Sequence, residues 1–144
     1  MKKPVMRMLV FLFLAVATQQ AVAQESLYKR LGGYDAIAAV TDDFIGRLAS
    51  APSLQKFFGG VSADSQKKLR QHVVDQICQA TGGPCIYNGR SMKQSHEGLK
   101  IKEADWNTAV GLFGETLKKF NVPAKESGEL VAIVASVKKD IVEN

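Results

Sequence analysis

Thr81–Ile101 reads TGGPCIYNGRSMKQSHEGLKI, and His96, near its end, is one of only two histidines in the chain. The other, His72, lies on the amphipathic stretch that runs into Gly82-Gly83. Gly82-Gly83-Pro84 ends that stretch, because glycine tolerates the left-handed turn at a helix end and proline cannot continue a helix. Tyr87-Asn88-Gly89-Arg90 reads as a turn. Ser91 can then cap a short helix carrying Met92, Ser95 and His96, with Gly98 closing it. A helix, a tight loop and a short helix follow one another, and the expectation is that both imidazoles face one cavity. Neutral imidazole is the commonest metal ligand, so that cavity is where chemistry is expected.

Working outward, two amphipathic segments follow. Lys102–Phe120 repeats Trp106, Val110, Phe113, Leu117 and Phe120 at helical spacing. After Asn121-Val122-Pro123, Lys125–Val142 repeats Leu130, Ile133, Val134, Val137 and Ile141. Upstream, a helix capped by Ser62 or Asp64 runs to about Thr81. It places Leu69, Val73, Gln76, Ile77 and Ala80 on one face, His72 at its margin and Val74 elsewhere. Tyr34–Ala49 carries Ile37, Val40, Phe44, Ile45 and Leu48 as a buried stripe, with Asp42-Asp43 on a polar face. Ser26–Leu31 is a helical turn stopped by Gly32-Gly33, and a tight segment from Pro52 ends in Phe57-Phe58-Gly59-Gly60. Nothing after the first two dozen residues alternates over a strand's length. The fold class is all-α.

The amino terminus belongs to a different argument. Lys2, Lys3 and Arg7 precede an apolar run, Met8–Ala17, and Ala21-Val22-Ala23 stands before Gln24. A basic start, a short apolar core and an A-x-A site describe a secretory signal over residues 1–23. The run is shorter than the ~20 residues of a spanning helix; an uncleaved anchor is the alternative. Cleavage would remove three cations and no acid, taking the net charge from +5 to +2. No Lys/Arg cluster is interleaved with aromatics, so nucleic acid is not an expected partner. With 46% hydrophobic and 23% charged residues, residues 24–144 suit one globular domain, expected to be a monomer in the periplasm. In an oxidising compartment Cys78 and Cys85 can pair. They do not form CxxCH, so covalent c-type haem attachment is not indicated.

Zinc is a weak alternative. His72, Cys78, Cys85 and His96 make a Cys2His2 inventory, but no two ligands come from one short turn as a closed tetrahedral site requires. Glycine-rich phosphate loops and nucleophile elbows are absent.

The residues resemble a known family. Leu27-Tyr28-Lys29-Arg30-Leu31-Gly32-Gly33, Asp43-Phe44 with Arg47-Leu48, Phe57-Phe58, Gly82-Gly83-Pro84 with Tyr87 and Gly89, Met92-Lys93-Gln94-Ser95-His96 and Val122-Pro123 look like a group I truncated haemoglobin. The resemblance runs from about Ser26 to Val142. It implies a two-over-two helical sandwich around one haem b, with His96 as the proximal iron ligand and Phe58 packed on the haem face. Phe44, Phe57, Met92, Ile101 and Trp106 would fill the pocket wall, with Ile77 also against the cofactor. Lys68, Arg90 and Lys93 are candidates to pair the propionates.

On the distal side the sequence departs from the family. Ile45 stands where many members have tyrosine, and Leu69 and Val73 stand where distal glutamines are usual. His72 is the remaining polar group. In some members a histidine at the matching position becomes a sixth ligand, and the 24-residue spacing to His96 fits that arrangement; the alternative is a rim residue meeting a propionate or water. The resemblance implies binding of a diatomic gas (oxygen, nitric oxide or carbon monoxide), with nitric oxide dioxygenase or peroxidase-like turnover requiring a reductase. A bis-histidyl electron carrier and a non-haem module binding an apolar ligand are the alternatives.

Overall fold

Ile37, Ala38 and Thr41 share the inner side of an 18-residue helix, and all three are buried. That helix is the spine of the domain. In the computed structural model, which describes residues 24–143, it is α2 (Gly33–Ser50), preceded by α1 (Leu27–Arg30) and followed by α3 (Gln55–Phe58) and α4 (Ala63–Ala80). After the loop come α5 (Met92–His96), α6 (Glu103–Lys119), α7 (Ala124–Ser136) and α8 (Lys138–Ile141). No strand occurs among the described residues. α2 packs on α4 and α6, and α6 packs on α7. The layers are thus α2 with α4 over α6 with α7, a two-over-two sandwich. The signal expected over residues 1–23 lies outside the described residues.

Two apolar clusters hold the helices together. Phe113 and Leu117 of α6 meet Leu27 of α1 and Leu130 of α7, while Ile37 and Ala38 of α2 meet Val74 and Cys78 of α4. Phe44 joins the first cluster, its ring centroid 5.0 Å from that of Phe113. Removing an enclosed aromatic such as Phe113 typically costs about 3–5 kcal/mol, through lost burial and the cavity left behind. Serine side chains cap the starts of α1, α4 and α5, as at Ser62, whose hydroxyl accepts from the Ser65 N–H at 3.2 Å.

Several expectations need correction. On α4 the deepest side chains are Val74 and Cys78, both fully buried, whereas Leu69 is 37% exposed and Ala80 is exposed. The helix has two apolar faces, and the one facing α2 is the one the periodicity passed over. The last helix is not continuous. Ser136 Oγ donates to the Ile133 carbonyl at 2.6 Å, and the Val137 N–H reaches Val134 instead of Ile133. That tightening ends α7 and redirects α8 onto α5. Phe120, expected in the stripe of α6, caps its end and is 38% exposed. Asp42 and Asp43 are not a merely solvated face. Asp42 pairs with Arg70 of α4, and Asp43 accepts from Arg47 at 2.7 Å, from Thr116 at 2.9 Å and from Lys119. Lys119, then Arg47, holds the Asp43 carboxyl well below the usual carboxylate range.

Candidate functional site

α5 has five residues, too few to persist without help from its surroundings. Its start is a capping box: Ser91 Oγ accepts from the Gln94 N–H, and Gln94 Oε1 accepts from the Ser91 N–H, both at 3.2 Å. Its flank packs on α8 rather than on α4. Within this frame His96 Nδ1 lies 2.8 Å from the Met92 carbonyl oxygen. A carbonyl can only accept, so Nδ1 carries the proton and Nε2 keeps its lone pair. A second hydrogen bond that fixes ring and tautomer in this way is what metal-ligating histidines use.

His72, half-buried on α4, is held differently. Its Nδ1 is enclosed without a hydrogen-bond partner, and its ring meets the edge of Tyr87 with centroids 5.8 Å apart and planes at 80°. Tyr87 is itself fixed. Its N–H donates to Gln79 Oε1 at 2.6 Å, and its hydroxyl donates to the Arg90 carbonyl at 2.6 Å. Gly89 makes room for the ring, since a Cβ there would fall 2.4 Å from the Tyr87 hydroxyl oxygen. Cys78 and Cys85 form a disulfide with Cα atoms 5.7 Å apart, tying the loop to the end of α4. The bond engages both thiols, which removes the zinc alternative; no cluster of three metal-ligating side chains exists among the described residues. Sequence reasoning read Tyr87 as a turn residue and as part of the family resemblance, with no contact to His72. The one signal for its role is the glycine two positions on.

The remaining expected site residues divide into groups. Ile45, Phe57, Phe58, Val73, Met92 and Ile101 are half-buried, and Trp106 is buried. Half-buried aliphatic and aromatic side chains on α2, α3, α4 and α5 are apolar surface that the protein leaves partly uncovered. Phe44 and Ile77 instead pack into the core, where Ile77 lines an apolar cavity of about 30 Å³ together with Val40 and Phe113. Lys68, Arg90 and Lys93 are exposed and form no ion pair among the described residues. One contact was not foreseen. Lys56 Nζ lies 3.1 Å from Asp105, beside Trp106, and 4.8 Å from the centroid of the Phe57 ring, which joins α3 to α6. The Lys102 N–H and then Lys56 lower the Asp105 carboxyl below its ordinary value.

An all-helical two-over-two sandwich whose short fifth helix carries a histidine fixed through Nδ1 is the arrangement of a globin-type domain. The bacterial-like globin family matches residues 26–143. The group 1 truncated haemoglobin of Synechocystis sp. is 31% identical over 123 residues, covering 78% of this chain and 88% of the relative. That of Mycolicibacterium paratuberculosis is 29% identical, covering 81% and 83%. The 2/2 haemoglobin from Synechococcus sp., solved in the cyanomet state with covalently attached haem, superposes with a TM-score of 0.74 at 28% identity, covering 83% of this chain and all of the other. The truncated haemoglobin from Tetrahymena pyriformis in its Fe(III) form gives 0.75 at 22% identity with the same coverage, a likeness of fold. The chain belongs to the bacterial-like globin family, among the group 1 truncated haemoglobins.

Proposed function

We propose that this chain binds haem b, with His96 Nε2 as the protein's iron ligand, and takes up a diatomic gas on the opposite side. Haem supplies reversible coordination of oxygen, nitric oxide or carbon monoxide. The observation that carries the reading is the Met92 carbonyl on His96 Nδ1, which leaves Nε2 free to ligate. Ile45, Phe57, Phe58, Val73 and Met92, each half-buried, are the apolar side chains that this reading would set against the cofactor. Attachment through sulfur is unavailable because the only two cysteines bond to each other. Ile45, Leu69 and Val73 offer no hydrogen-bond donor, so His72 is the side chain of this set able to coordinate or donate. We favour coordination, with Tyr87 restricting the ring's orientation. Gas binding would then require His72 to leave, and the apparent affinity falls by the fraction of protein in which it has left. Export to the periplasm, on the strength of residues 1–23, is part of the same proposal.

Absorption spectra of the haem-loaded wild type, His72→Ala and His96→Ala test the reading. The wild type is expected to be six-coordinate and low-spin, His72→Ala five-coordinate or high-spin, and His96→Ala unable to retain haem. An unchanged high-spin spectrum in wild type and His72→Ala would remove His72 from the iron. No uptake by the wild type would leave only the fold.

A further inference from the structure

α5 ends at His96, and the turn behind it is gripped from the far end of the chain. The His96 carbonyl accepts from the Leu99 N–H at 3.1 Å, closing a turn that holds Gly98 at a φ of 82° and is followed by Lys100 at a φ of 54°. Glycine adopts a positive φ freely, whereas lysine keeps one only where its surroundings enforce it. Here the enforcing group is Glu143, two residues beyond α8. Its Oε1 accepts from the Gly98 N–H at 2.7 Å and from the Lys100 N–H at 3.2 Å. Its own N–H donates to the Ile101 carbonyl at 2.8 Å, and its carbonyl accepts from Lys102 Nζ at 3.4 Å. Just before it, Lys138 bonds to Glu103 on the first turn of α6 at 2.5 Å, and α8 packs along α5. A convergent pair of backbone N–H groups binds a carboxylate well, and here the carboxylate is the chain's own.

We propose that Glu143 is a positioning residue for His96, fixing the turn behind α5 and so the tilt and depth of the imidazole. This inference rests on the haem reading above. A five-residue helix that does not pack on α4 has little else behind it. With its start capped at Ser91 and its end tied through Gly98 and Lys100, His96 is held from both sides. The carboxylate contributes two hydrogen bonds that no neutral side chain of the same length reproduces fully.

The test uses the full chain, first without haem. Amide exchange at Gly98 and Lys100 should quicken by ~10-fold or more in Glu143→Ala and less in Glu143→Gln, which keeps an acceptor oxygen without the charge. Helical content should not change. With haem bound, transfer of haem to an acceptor apoprotein should be several-fold faster in Glu143→Ala, intermediate in Glu143→Gln. The iron–histidine stretching band of the reduced protein should shift or broaden in the same order. Wild-type exchange rates at both amides in Glu143→Ala would overturn the proposal. So would quickened exchange accompanied by wild-type haem loss and an unchanged stretching band, which is the result of a purely structural tie. A wild type that takes up no haem would refute the functional reading, and the exchange rates alone would then decide whether Glu143 holds the turn.

Discussion

Thr41 sits fully enclosed on α2, and its hydroxyl has no hydrogen-bond partner. A threonine in a helix usually returns its hydroxyl to a carbonyl one turn back, as Thr81 does to Ile77 at 2.7 Å. An enclosed hydroxyl without a partner is destabilising by about 1–3 kcal/mol, so the isosteric Thr41→Val is expected to be neutral or to raise stability by up to ~1 kcal/mol. Thermal unfolding of the haem-free protein measures this; a clear loss of stability would mean that the hydroxyl has a partner, such as a buried water. His96 is the opposite case, since its Nδ1 has a defined partner in the Met92 carbonyl. The sequence singles out His96 as a candidate because it stands in a motif. The Met92 hydrogen bond was not legible there, because it depends on a rotamer. Tyr87 and Glu143 were missed for a similar reason: one acts through its ring edge on a residue of another helix, the other across 45 positions of chain.

The element that separates the two histidines is the loop from Thr81 to Ser91, and its stiffness comes from three sources. The disulfide closes it at one end, Gln79 holds the Tyr87 N–H, and the Tyr87 hydroxyl holds Arg90 just before α5. Closing so short a loop restricts the unfolded chain by about 2 kcal/mol on the entropic account. Reduction, or Cys78→Ser with Cys85→Ser, should therefore lower the unfolding temperature by several degrees, and scanning calorimetry with and without reductant gives the value. The same change frees the segment carrying Tyr87, so on the proposed reading the fraction of six-coordinate haem should differ between wild type and the double-serine variant compared at the same iron oxidation state. Identical spectra would show that Tyr87 needs only its hydrogen bonds. Helix positions were largely readable, because capping serines and glycine pairs punctuate the chain. Two features escaped. α4 buries Val74 and Cys78 on one face and leaves Leu69 open on another, and a single-stripe reading selects only one face of such a helix. The break at Val137 has no proline or glycine to announce it; a tightened turn and the packing of α8 on α5 produce it.

Across the described residues, the all-α class was legible because it depends on spacing and the two-over-two arrangement because the chain resembles a known family, while the ionic ties between helices were not, because they join residues far apart in sequence. Asp43 on α2 binds Thr116 and Lys119 of α6, Asp42 binds Arg70 of α4, Lys56 of α3 binds Asp105 of α6, and Arg30 of α1 binds Glu126 of α7. All four carboxyls are held below their ordinary values. The causes are Lys119 and then Arg47 at Asp43, Arg70 at Asp42, the Lys102 N–H at Asp105, and the Glu126 N–H and then Arg30 at Glu126. The sign of the pH dependence follows. Above the ordinary carboxylate values, folded and unfolded chains are both ionised, and the full stabilisation is present. As the pH falls through those values the unfolded chain binds protons that the folded chain refuses, so stability drops until the folded carboxyls are also protonated. Unfolding temperature should thus be nearly flat from about pH 7 to about pH 5 and fall steeply from about pH 4 downward. Asp43→Asn isolates the largest contributor: it should be less stable at neutral pH and show a shallower acid limb, so that the gap between wild type and variant narrows as the pH falls below the ordinary carboxylate range. Parallel acid limbs would mean that Lys119 and Arg47 bind water as well as they bind Asp43, and that the contact of α2 with α6 owes its strength to Phe44, Phe113 and their apolar neighbours and not to Asp43.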